Sequence, residues 1–197
     1  MTATILARSA RAASGLSQSE LADRSGVAGS SLSLIEHGKR DPTVATLENL
    51  LRATRHSVVT IPTVRSDAAH IASEISTALN NTISASNAAD ATAFRRFLQL
   101  ADNLAAEHGA TRVGLTLTEP VTTGSEHWDA AIAALCEYRL NADALPVPSW
   151  VTERTGSSSE PWSPPSSDYE IPADPAQVPD EFLSRGILIE AATLESV

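Results

Sequence analysis

Through residues 1–57 apolar side chains recur three and four positions apart in short runs, and no stretch alternates as a strand would. Leu21 and Ala22 begin one inward stripe, which Gly26 ends. Leu32 and Ile35 set the inner face of a second helix from about Ala28 to Glu36, closed by Gly38. Beyond Pro42, the residues Val44, Leu47, Leu50 and Leu51 predict a supporting helix. Ser17, with Glu20 three positions on, is spaced as a capping box, in which each side chain satisfies a backbone N–H of the other end of the turn. Val27 is placed to plug the turn, and Ala22 must be small where the two helices cross. Met1–Ser14 carries Arg8 and Arg11 and no acid, as a transit peptide would, but its spacing reads as a first helix.

Past a linker at Thr60–Val64, which contains Pro62, the helical period returns. It covers Asp67–Leu79 (Ala68, Ile71, Ala72, Ile75, Leu79), Ala88–Glu107 (Phe94, Phe97, Leu98, Ala101, Leu104, Ala105) and His127–Leu140 (Trp128, Ala131, Ile132, Leu135). Gly109 ends the second of these. Between them Val113, Leu115 and Leu117 alternate with Gly114 and Thr116, as a short strand or a loop would. Pro146 and Pro148 predict an extended Leu145–Val151. Thr155–Asp180 holds six Pro and six Ser and is expected to stay irregular or disordered until something binds it. Order returns with Phe182, a possible strand at Gly186–Ile189 and a helical turn near Leu194. The expected fold is mainly α: a five-helix first domain over 1–58, a linker over 59–66, a helical oligomerisation or partner-binding region over 67–145, and a Pro-rich, largely extended acidic segment over 146–197.

Composition changes this picture in one respect. The 42% hydrophobic content suffices for a core, and the longest apolar run, Ala130–Cys136, is far short of the ~18 residues of a membrane span. The single cysteine cannot form an internal disulfide, which suits a reducing cytoplasm. The net charge of −10 is the wrong sign for a chain devoted to nucleic acid. It is unevenly spread, however. Residues 1–60 carry seven Lys or Arg against five Asp or Glu, a net of +2, whereas residues 61–197 carry seven Arg against nineteen acids, a net of −12. A phosphate backbone is attracted by the first part and repelled by the second, so the two must have different partners or roles.

Little catalytic chemistry is visible. Glu36-His37, Glu107-His108 and Glu126-His127 lack a second His or Cys at metal spacing, and Cys136 has no partner. Asp90, Asp102, Asp129 and Glu137 read as solvated helix faces, and no phosphate loop or nucleophile elbow occurs, so neither enzyme, metal nor cofactor is expected. Trp128 and Trp150 read as anchors of a small C-terminal core; alternatively Trp150, Trp162 and Tyr169 anchor an acidic strap on a basic protein.

Leu16–Gln18, Glu20-Leu21-Ala22, Gly26-Val27, Ile35-Glu36, Gly38-Lys39 and Pro42 together resemble the Cro/repressor-type (Xre-like) helix-turn-helix family over roughly residues 3–57. The resemblance implies DNA contacts from Ser17 and Gln18 at the first motif helix, a base-reading face of Ala28, Gly29, Ser30, Ser33 and Leu34, a backbone-contacting or capping His37, and phosphate contacts from Lys39 and Arg40. That face has no Arg, Asn or Gln, so the bidentate contacts that select guanine or adenine are missing. Specificity must then come from dimerisation across two half-sites, from DNA shape or from other arginines. The C-terminal region, from TEPVTTGSEHWDA through LPVPSWV to RGILIEAATLESV, is similar to Xre-type proteins encoded beside nucleotidyltransferase-like toxins. This implies an antitoxin that neutralises a toxin and represses its own operon as a homodimer on double-stranded DNA. The alternative is a stand-alone repressor whose C-terminal region dimerises or senses a ligand.

Overall fold

The computed structural model describes residues 3–80, 86–156, 161–165 and 172–195. Among these the chain forms eleven α-helices and one 3-10 turn, as the mainly helical expectation requires. They pack around two hydrophobic cores.

The first core belongs to α1 (Ala3–Ala13), α2 (Gln18–Ser25), α3 (Gly29–Glu36) and α4 (Val44–Ala53). Ala7, Leu21, Ala22, Leu32, Ile35 and Leu50 are buried together, with Val27 packed below the turn. Each of the larger residues contributes ~1.5–3 kcal/mol of hydrophobic stabilisation. Of the five helices expected here, four lie before residue 58; the fifth in the chain, α5 (Ala68–Leu79), contacts α1 but buries its apolar face in the second core. Val44 does not face inward. It is 73% exposed on the first turn of α4, where Thr43 caps the helix by accepting the Thr46 N–H.

The second core is larger. Phe97, Leu100 and Leu104 of α6 (Ser86–Ala106) meet Ile71 and Ile75 of α5, and Trp128, Ile132 and Leu135 of α8 (Glu126–Asn141). The alternating segment 113–117 is not a strand: α7 runs Gly109–Gly114, and residues 115–117 leave it through a turn in which the Leu115 N–H donates to the Thr111 carbonyl. A hydrophobic period of two over so few residues is outvoted once Arg112 clamps the turn, donating to the Glu107 and Arg139 carbonyls and pairing with Asp143 at 2.9 Å. The extended reading of 145–151 also fails at its end. Pro148 is itself an N-cap, and α9 (Ser149–Glu153) follows it, so the proline starts a helix rather than excluding one.

The described part of 146–197 is not a separate strap. Trp150, Val151, Val178, Phe182, Ile187, Ile189 and Leu194 all enter the same core as α5–α8. Phe182 comes from α10 (Asp180–Leu183) and Leu194 from α11 (Ala191–Leu194). In place of a strand at 186–189 there is one isolated parallel bridge. The Trp162 N–H donates to the Gly186 carbonyl at 2.8 Å, and the Leu188 N–H to the Trp162 carbonyl at 2.7 Å. Arg185 locks the chain from below, donating to the Arg154, Glu181 and Val151 carbonyls and lying 2.7 Å from Glu137. Buried Cys136 is held far from ionisation by desolvation.

Candidate nucleic-acid interface

The turn between α2 and α3 is built as the sequence predicts. The Ser17 side chain accepts the Glu20 N–H at 3.2 Å, and Glu20 accepts the Ser17 N–H at 2.8 Å, closing the capping box. These donors, the backbone one first, hold the Glu20 carboxyl below its ordinary pKa. Gly26 takes φ +70° at the end of α2, a left-handed conformation that a side chain would strain. Its counterpart at the end of α3 is Gly38, φ +67°, with paired bonds from the Gly38 N–H to Ile35 O and from the Lys39 N–H to Leu34 O.

Three side chains lock the orientation of the two motif helices. Glu36, at the end of α3, is buried. It accepts Arg11 Nε at 2.6 Å and Arg11 Nη2 at 3.0 Å, and Gln18 Nε2 at 2.7 Å. Arg11 Nη1 also donates to Leu16 O at 2.9 Å, so α1, the loop before α2, and α3 share one fork. A carboxylate only accepts, so the amide nitrogen of Gln18 must face Glu36, and its second N–H remains uncommitted. The half-exposed Gln18 is thereby held with a donor to spare at the N-terminus of α2, where the helix dipole also favours an anion.

The other expected contact residues lie on α3 or beside its ends. Ala28, Gly29 and Ser30 are exposed at the start of α3, Ser33 is half-buried, and Leu34 is 42% exposed. Exposed His37 is turned back on its own helix: Nδ1 lies 2.7 Å from the Ser33 carbonyl, so that nitrogen carries the proton. Lys39 and Arg40 are exposed just beyond, and Arg40 Nη1 donates to Ser31 Oγ at 3.1 Å. The Ser17 hydroxyl is spent on its cap and on Glu20.

The motif pattern misses one cation. Arg8, three residues before Arg11 on α1, is exposed and has no partner among the described residues. It lines a cleft of about 400 Å³ with Arg11, Gln18, Glu36 and His37. The i, i+3 spacing of Arg8 and Arg11 is the signal that could have found it, since both must lie on one face of a helix.

The C-terminal candidates fare differently. Trp150 is 4% exposed, and its Nε1 donates to Thr116 O at 2.9 Å; it is a core residue, not a free anchor. Trp162 is half-buried, stacked on His127 at 5.0 Å and edge-on to Trp128 at 5.1 Å, so most of its ring is committed to the fold. Tyr169 lies outside the described residues. Among the described residues no cluster of His, Cys, Asp and Glu could hold a metal, and no helix is long and apolar enough to cross a membrane.

Residues 8–57 match the model of the helix-turn-helix family HTH_3. This part of the chain is a helix-turn-helix domain of the Cro/repressor type, and it supports assignment of the protein as a DNA-binding transcriptional regulator. No curated protein and no solved structure matches the chain.

Proposed function

We propose that the protein binds a double-stranded operator as a homodimer, with α3 in the major groove and Gln18, Lys39 and Arg40 on flanking phosphates. The observation that carries this is the Arg11–Glu36–Gln18 lock, which fixes α3 against α2 while leaving a donor of Gln18, exposed Lys39 and the N–H groups that Arg40 does not spend on Ser31 available for phosphate. The α3 face supplies two serines, small residues and Leu34, so each copy discriminates bases weakly, and two half-sites are needed for specificity. Fluorescence anisotropy on the duplex upstream of the gene tests this. Lys39→Glu and Arg40→Glu should each lower the salt slope of binding by about one. Binding untouched by both substitutions would overturn the reading.

The finer role we propose is that of a cytoplasmic antitoxin that represses its own operon and neutralises a partner toxin, nucleotidyltransferase-like in chemistry. Its support is the division of charge: a domain of net +2 is followed by 137 residues of net −12, suited to cover a basic surface while staying clear of the operator. The burial of Trp150 means such a partner would be gripped by other residues. Co-purification with the product of the adjacent gene decides it, absence of both a complex and relief of toxicity being the negative result. A ligand-sensing repressor is the second reading, favoured by a cavity at the junction of the two cores.

A further inference from the structure

A cavity of about 320 Å³ opens where the first domain joins the second core. Leu6 of α1 forms one wall, Val58, Val59 and Ile61 of the connecting segment a second, and Leu117 a third. Such a volume lies at the small end of ligand pockets, which run to roughly 300–1,000 Å³. Two features separate it from a packing fault. First, three of its apolar side chains are left largely in solvent: Val58, Val59 and Leu117 are 48%, 69% and 55% exposed. Second, Asp67 belongs to its lining, is 5% exposed, and is only half satisfied. Oδ1 caps α5 by accepting the His70 N–H at 2.8 Å, but Oδ2 is buried with no hydrogen-bond partner among the described residues.

Among the described residues, no neighbouring charge supplies that partner. Arg65, also in the lining, has its Nε 3.5 Å from Glu107, which in addition accepts Thr63 Oγ1 at 2.7 Å. The ring Nε2 of His70 lies 3.7 Å from Glu74. A buried carboxylate oxygen left bare costs ~1–3 kcal/mol, which a bound donor would recover. A cation recovers more, because ionised Asp67 then gains an opposite charge inside a low-dielectric wall.

We propose that this cavity is an effector site for a small amphipathic amine, its ammonium held at Asp67 and its apolar body against Val58, Val59 and Leu117. Because α1 and the connecting segment both form its walls, occupancy is coupled to the placement of the helix-turn-helix domain and so to DNA affinity. This coupling rests on the reading of the protein as an operator-binding regulator; the binding of the amine does not.

Calorimetry on the full chain with phenethylamine, 2-phenylethanol and 3-phenylpropionate separates the two. The amine is expected to bind, and the alcohol and the carboxylate more weakly by about tenfold or more. Asp67→Asn, which keeps the cap of α5, and Leu117→Asn, at an exposed wall, should each weaken the amine by a similar factor. No heat with the amine up to about 10 mM, equal binding of all three probes, or full affinity in Asp67→Asn overturns the site. In the second arm, saturating amine should change the Kd for the upstream duplex by about fivefold or more. An unchanged Kd with the amine bound overturns the coupling alone. No DNA binding with or without amine overturns the regulator reading and leaves the cavity's chemistry standing.

Discussion

Arg11 and Glu36 meet with unequal burial: the pair is 2.6 Å apart, and the arginine side chain retains 23% of its exposure while the carboxylate retains 2%. This asymmetry predicts unequal costs. Arg11→Ala leaves a charged carboxylate dry and unpaired except for one amide, and should cost about 3 kcal/mol. Glu36→Ala leaves a guanidinium that can reach water and should cost about 1–2 kcal/mol. Urea denaturation of the two variants checks the order; an equal or reversed order would show that stranding the buried carboxylate is not what sets the cost.

Arg8 separates binding from stability. Exposed and without a partner among the described residues, it makes no hydrogen bond or ion pair that its loss would remove. Arg8→Ala should therefore leave the denaturation midpoint within about 0.5 kcal/mol of the parent. If the cleft beside Gln18 takes a phosphate, the same change lowers the salt slope of DNA binding by about one. A loss of stability with unaltered DNA binding would remove Arg8 from the interface.

The tryptophans of the C-terminal half invite a different measurement. Trp150 is buried with its indole N–H satisfied, and Trp162 stacks on His127 beside Trp128. Trp150→Ala should destabilise the second core by about 3–5 kcal/mol. Trp162→Ala should cost less, because its ring is only half-buried to begin with. Both losses are expected in the isolated protein, by calorimetric or CD melting. A variant with parental melting but weakened capture of a partner would restore these residues as interaction anchors.

How far the chain can be read from its sequence depends on whether the deciding interactions are local. The capping box at Ser17 and Glu20, the left-handed glycines at 26 and 38, and the stripe of Leu32 and Ile35 are all settled within a few residues, and each stands where the sequence places it. The exposure of Ala28, Gly29, Ser30, Leu34, Lys39 and Arg40 is local for the same reason, since they lie on one short helix and beside its ends. What is illegible is long-range. The carboxylate of Glu36 draws in Arg11 from 25 residues away, and Arg185 reaches carbonyls at 151 and 154, so neither role leaves a local pattern. Trp150 reads as a core anchor, which it is, and Trp162 as available, because the prolines around it exclude long helices. Short helices after Pro148 and Pro179, with one isolated bridge, are enough to fold that stretch onto the core.

Asp67 gives the least intuitive prediction. Burial raises its pKa above the ordinary 3.8, outweighing the His70 N–H that favours the ionised form. A carboxyl with a raised folded-state pKa is most compatible with the fold when protonated. Its cost is therefore absent below the unfolded value of 3.8 and is felt in full once the pH passes the higher folded value. Asparagine keeps an oxygen for the His70 N–H, is an equally good N-cap, and carries no charge to desolvate. Asp67→Asn should thus raise the melting temperature at neutral pH, an unusual outcome for a cap residue, and the gain should shrink as the pH falls toward 3.8. Parallel melts of both proteins from neutral to acid pH measure it directly. A variant less stable at neutral pH, or a gain that grows on acidification, would mean that ionised Asp67 has a partner in the folded protein and that its Oδ2 is not bare.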